Sequence, residues 1–148
     1  MQIPPLAQLI PILQTAIGPV ILISGVGMLL LSMTNRLGRV IDRARSLVRE
    51  QYAAGDALPA DLQGELRILW RRARLIRQAI VLASMSALAA ALLIIALFFT
   101  ALLGIESSLL IGALFISCML CLSASLVVFI HDLNLSLAAL KLELEGRL

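Results

Sequence analysis

Ionisable side chains are scarce in this 148-residue chain, at 14% of positions, and over three long stretches they are missing. Residues 10–33, 79–103 and 107–130 hold no ionised group, Glu106 standing in the turn where the third begins. Each stretch is long enough to cross about 30 Å of hydrocarbon at about 1.5 Å per residue. That scarcity excludes a water-soluble domain, because one small core has no room for three such segments. Aromatic residues are also few, with Trp70 and Tyr52 the single Trp and Tyr. With no recognition motif beside them, a nucleic-acid partner is excluded despite a net charge of +3 and a pI of 9.5. The chain has one histidine, His131, so a His-based metal centre lacks ligands. No Ser/His/Asp set, paired intramembrane carboxylates or glycine-rich phosphate loop appears, and neither catalysis nor a cofactor is expected. An inverted repeat and intramembrane charges, the marks of a secondary transporter, are missing too.

Only two cysteines occur, Cys118 and Cys121, in the middle of the third apolar stretch. In a soluble protein C-x-x-C can be a redox pair with one thiol activated at a helix N-terminus. A mid-bilayer helix offers no such activation, and the pair reads as two small packing residues. The opening decapeptide, MQIPPLAQLI, has no basic residue, and no small-x-small site follows. The first apolar run is therefore expected to stay as a membrane span.

What the chain has in abundance is apolar surface, 61% of residues with a mean hydropathy of +1.02. The reading is an all-α membrane protein. An outer interfacial segment occupies 1–11, with spans over 12–34, 79–103 and 109–131. A cytoplasmic antiparallel helical hairpin fills 35–78, a short outer turn 104–108 and a cytoplasmic tail helix 132–148. Pro19 removes the hydrogen bond to the carbonyl of Thr15 and predicts a kink. All twelve basic residues fall on one side of the spans: ten arginines from Arg36 to Arg77, then Lys141 and Arg147. By the bias of basic residues toward the cytoplasm, the N-terminus lies outside and the C-terminus inside a bacterial inner membrane.

Beyond Asn35 the apolar positions become periodic. Leu37, Ile41, Ala44 and Val48 are spaced 4, 3 and 4, and predict a helical seam. Gly55 is placed as a C-cap and Pro59 as the start of the returning arm. That arm carries the seam Leu62, Leu66, Leu69, Ala73, Ile76 and Ile80 without a break into the second span. The tail repeats it with Leu133, Leu137, Leu140 and Leu144. Each span thus continues into a cytoplasmic helix, predicting a tall three-helix bundle.

Small side chains recur at helical spacing in the spans: Gly18, Gly25 and Ser32; Ala83 and Ala87; Ser117 and Cys121. In lipid, helices associate through close backbone approach and weak polar contacts, so these are candidates for packing and for a homo-oligomer. At the inner boundary Asn35, Arg36, Arg77, His131 and Asp132 converge as a polar collar, with Asp132 expected to pair with an arginine. Arg39, Arg43, Arg67, Arg71 and Arg74 group by face beside Trp70 and are candidates for anionic lipid at the cytoplasmic surface.

The segment NRLGRVIDRARSLVRE (35–50) after a Pro/Gly-containing span, with RRARLIRQAI (71–80) leading into the next, resembles a known family. It is a family of small bacterial inner-membrane proteins with three predicted spans, catalogued as a domain of unknown function. The resemblance implies the location and topology, and no activity. The expected function is non-enzymatic: a homo-oligomeric membrane protein with a structural, scaffolding or interaction role. Two alternatives stand beside it. One is an oligomeric pore lined by Thr15, Ser24 and Ser32 with Arg36 or Arg39 at its mouth. The other is an accessory subunit of a larger membrane complex.

Overall fold

The computed structural model describes the backbone of residues 6–54, 60–104 and 108–145. Side chains are described between Ile10 and Ser136, apart from residues 12, 51, 53–54 and 60–62. The chain is all-helical: α1 spans Leu6–Ala54, α2 Ala60–Leu103 and α3 Ser108–Glu145, with no strand among the described residues. At 49, 44 and 38 residues they run about 74, 66 and 57 Å, each well beyond the hydrocarbon thickness. All three are long and apolar enough to cross a membrane.

α1 begins at Leu6, inside the segment expected to precede the first span, so Pro11 and Pro19 both lie within the helix. Each proline leaves one carbonyl without its helical partner. The Thr15 hydroxyl donates to the Pro11 carbonyl at 2.9 Å, which ties a polar group back to its own helix. α2 ends at Leu103, and Gly104 adopts φ +63°, the left-handed conformation that glycine enters without steric penalty at a helix C-terminus. Gly55, Pro59, Glu106 and Ser107, placed in the two turns, lie outside the described residues.

The helices pack as two compact units, each taking a segment from all three. One is apolar, Met1–Leu30 with Leu82–Ala124; the other is arginine-rich, Leu31–Val81 with Ser125–Leu148. In the apolar unit the buried positions are small or few: Ala16 and Val26 on α1, Ala83, Ser86, Ala90 and Leu93 on α2, and Cys118 on α3. Large side chains such as Ile21, Met28, Leu88, Phe99, Phe115 and Leu120 face outward. In water such a surface would drive aggregation, whereas lipid tails solvate it.

The arginine-rich unit has a conventional core. Met33, Val40 and Leu47 of α1 meet Leu69, Ile76 and Ala79 of α2, with Leu37, Ala44, Ala73, Ile80, Val128 and Phe129 packed against them. Burying Val40, Leu47 or Ile76 contributes about 1.5–3 kcal/mol each. On α2 the expected seam holds at Leu69, Ala73, Ile76 and Ile80. On α1 it is displaced by one residue: Val40 and Leu47 are buried, while Ile41 is exposed and Val48 half-buried. Leu37 and Ala44 belong to both stripes, and one residue turns a helix by about 100°. In the tail Leu133 is half-buried, and the side chains of Leu137, Leu140 and Leu144 lie outside the described residues.

Candidate functional site

Three arrangements carry the polar chemistry of the chain. The first joins α2 to α3 in the apolar unit. The Ser86 hydroxyl donates to the Cys118 carbonyl at 2.9 Å, and the Cys118 thiol donates back to the Ser86 carbonyl at 3.2 Å. Side chains this short reach the opposite backbone only when two helices approach closely. Ala83 and Ala90 on the same face of α2 are wholly buried. The contact on α3 thus runs through Cys118, whereas the expected Ser117 is exposed and Cys121 half-buried; Ala87 on α2 is half-buried. Both thiols are free.

The second ties α3 into the arginine-rich unit through a stripe of Ser125, Phe129, Asp132 and Ser136. The Ser125 hydroxyl donates to the Ala79 carbonyl at 2.7 Å, and Arg36 stacks 5.4 Å from the centre of the Phe129 ring. Asp132 is wholly buried, and its Oδ1 lies 3.6 Å from Nε of Arg72. Arg72 also donates to the Ser136 hydroxyl, which donates in turn to the Asp132 carbonyl at 3.0 Å. Neither carboxylate oxygen of Asp132 accepts a hydrogen bond from the described residues. The expected Asp132–arginine pair therefore exists, and its partner is Arg72. Of the other expected collar residues, Arg36 is half-buried against Phe129, and Asn35, Arg77 and His131 are exposed. Arg72 and Ser136 were not singled out by the sequence. The available signal was that Arg72 stands three residues after Leu69 and four before Ile76, on the edge of the buried stripe.

The third is a groove of about 620 Å³ between α1 and α2 in the arginine-rich unit. Its floor is Leu37, Val40 and Ala44 from α1 and Leu66, Leu69 and Ala73 from α2. One wall is Ile41, Arg45, Val48 and Arg49; the other is Trp70, Arg74 and Arg77. The residue that the expected seam placed in the core, Ile41, is therefore part of an open apolar surface. Arg74 lies 5.9 Å over the Trp70 ring, a cation–π contact between two residues of the same wall. Among the described residues no carboxylate lines the groove. Arg45 has an exposed i,i+3 pair with Asp42 at 3.8 Å, a geometry of little energetic weight.

The remaining arginines divide. Arg43 is engaged by Glu65 at 3.1 Å across the two arms, both side chains about half exposed. Arg39, Arg67 and Arg71 are exposed, and Arg74 serves the groove. Gly18 and Gly25 are exposed on α1, with nothing within 4 Å of where a Cβ would stand, and Ser32 is exposed as well. Among the described residues no group of three His, Cys, Asp or Glu side chains is placed to hold a metal ion.

Comparison with curated proteins and with solved structures gives no match. A family model does match, over residues 16–142, a range that contains both arginine-rich segments from which the resemblance was drawn. By that match the chain belongs to the family described as "Protein of unknown function (DUF2721)".

Proposed function

We propose that this chain is a non-enzymatic, homo-oligomeric protein of the bacterial inner membrane whose role is scaffolding or interaction. In this reading the three spans lie in the bilayer and assemble copies, and the hairpin over 35–78 is cytoplasmic and presents the groove. One imbalance carries it. α2 and α3 meet at Ser86 and Cys118, with Ala83 and Ala90 buried on the same face of α2, while Gly18 and Gly25 of α1 look into open space. An unused glycine face in lipid favours close approach of another helix, and a second copy supplies one by symmetry. The confinement of basic residues to one side of the spans supports the orientation.

The oligomeric state in native-lipid particles tests the assembly. Wild type is expected to be oligomeric. A Cβ at position 25 meets no atom of its own subunit, and Gly25→Leu is expected to give monomers of unchanged helicity. A monomeric wild type, or an oligomer indifferent to Gly18→Leu/Gly25→Leu, removes this half of the reading. Liposome flux equal to that of empty liposomes is expected; flux above that level would favour the pore lined by Thr15, Ser24 and Ser32.

A further inference from the structure

We propose that the groove between α1 and α2 is the docking site for an acidic amphipathic helix of another protein. This deepens the interaction half of the proposed function and rests on it. The floor is apolar, Trp70 is 67% exposed, and of the four arginines that line the groove Arg45 alone has a carboxylate beside it among the described residues, the exposed Asp42. Exposed tryptophan beside an apolar depression is the kind of anchor on which binding energy concentrates.

The spacing of the charges selects the occupant. Arg45 and Arg49 are one helical turn apart on the α1 edge, and Arg74 and Arg77 nearly so on the α2 edge. The lining spans Leu37–Arg49 of α1 and Leu66–Arg77 of the returning α2, so Arg49 belongs to the turn end of the groove and Arg77 to the other. The arginines of the two edges are therefore distributed over about 18 Å of groove, Arg45 and Arg49 toward one end and Arg74 and Arg77 toward the other. A single lipid phosphate meets one pair and leaves the other unanswered. A helix of about three turns spans both, with carboxylates on one flank of its first turn and the opposite flank of its last. Its apolar stripe then lies along the floor, the ordinary mode of helix-in-groove recognition.

A second copy of this chain is a poor match. Residues 35–54 carry five arginines against Asp42 and Glu50, and residues 141–148 balance Lys141 and Arg147 against Glu143 and Glu145. Within α3, however, Glu143 and Glu145 stand on either side of Leu144 against the single Lys141, so docking by the tail of a second copy is an outcome that the test has to separate.

Trp70 is the only tryptophan, so its emission reports from the groove itself. The full chain is placed in zwitterionic lipid nanodiscs and titrated with a designed helical peptide of about 18 residues, long enough to hold helix. The peptide carries a leucine stripe flanked by glutamates in the diagonal arrangement and no aromatic residue; a second peptide replaces every glutamate by lysine. Saturable blue-shift of Trp70 is expected with the glutamate peptide only. In Arg45→Glu/Arg77→Glu, which leaves the Arg74–Trp70 stack in place, its affinity is expected to fall at least tenfold, and the lysine peptide to bind instead. No shift, equal binding of both peptides, or an unchanged affinity in the charge-reversed variant overturns the proposal. So does a shift produced by anionic lipid nanodiscs alone that abolishes the peptide response, or one produced by raising protein concentration without peptide. Oligomeric state measured on the same particles separates the two failures: an intact oligomer that ignores the peptide sinks the docking inference alone.

Discussion

Nε of Arg72 stands 3.6 Å from Oδ1 of Asp132, and that carboxylate has no exposure to solvent. Removing the cation leaves a buried negative charge with no hydrogen-bond donor among the described residues. Arg72→Met is therefore expected to destabilise the arginine-rich unit by about 3–5 kcal/mol, with Asp132→Asn less costly because Arg72 retains a path to water. Arg72→Met/Asp132→Leu should recover most of that loss, since an apolar pair of similar volume carries no desolvation penalty. Unfolding of the four forms in one detergent checks the cycle. Strictly additive losses would mean that the two groups do not sense each other.

The Ser86–Cys118 exchange predicts a graded response in the apolar unit. Ser86→Ala removes one donor and should cost about 0.6–1.7 kcal/mol, the range for hydrogen bonds between membrane helices. Ser86→Leu should cost more, because the closeness of α2 and α3 leaves no volume for it. Thermal unfolding in nanodiscs gives both values; Ser86→Leu at wild-type stability would contradict the close approach.

Val40 and Ile41 are neighbours in sequence and opposites in environment. Val40→Asp should unfold the arginine-rich unit, as should Leu69→Asp, with membrane insertion retained in both. Ile41→Asp should leave folding within about 0.5–1 kcal/mol of wild type. Circular dichroism melts of membrane-extracted variants distinguish them. Equal losses at 40 and 41 would restore the seam expected from spacing alone.

Gly104 is the one glycine described with positive φ. Gly104→Ala should shorten or strain the end of α2 at a cost of about 1–2 kcal/mol, although a Cβ there touches nothing. Gly18→Ala should cost far less. Equal shifts in melting temperature would show that backbone conformation is not the cause.

The three membrane-length helices were legible because the absence of charge over more than twenty residues has a single physical meaning in a chain this small. The α2 seam was legible because Leu69, Ala73, Ile76 and Ile80 admit one 4-3-4 stripe. On α1 the letters support two stripes: Leu37 and Ala44 are shared, and Val40 and Leu47 compete with Ile41 and Val48 on equal terms. Packing against α2 and α3 decides between them, which no local pattern encodes. The same holds for Asp132. Its need for a cation follows from its place at the end of an apolar run, but the choice of Arg72 among ten nearby arginines depends on how α3 meets α2. The groove was hidden for a related reason, since its floor is read as core until the helices show that one side is left uncovered.

The arrangement around Asp132 has a consequence for biogenesis. Arg72 and the carbonyl of Ala79 emerge from the ribosome well before Asp132 and Ser125, so the carboxylate reaches a surface on which its counter-ion already waits. A nascent chain that stops before α3 leaves that guanidinium without its carboxylate, so the pair can close only once the last helix has been made.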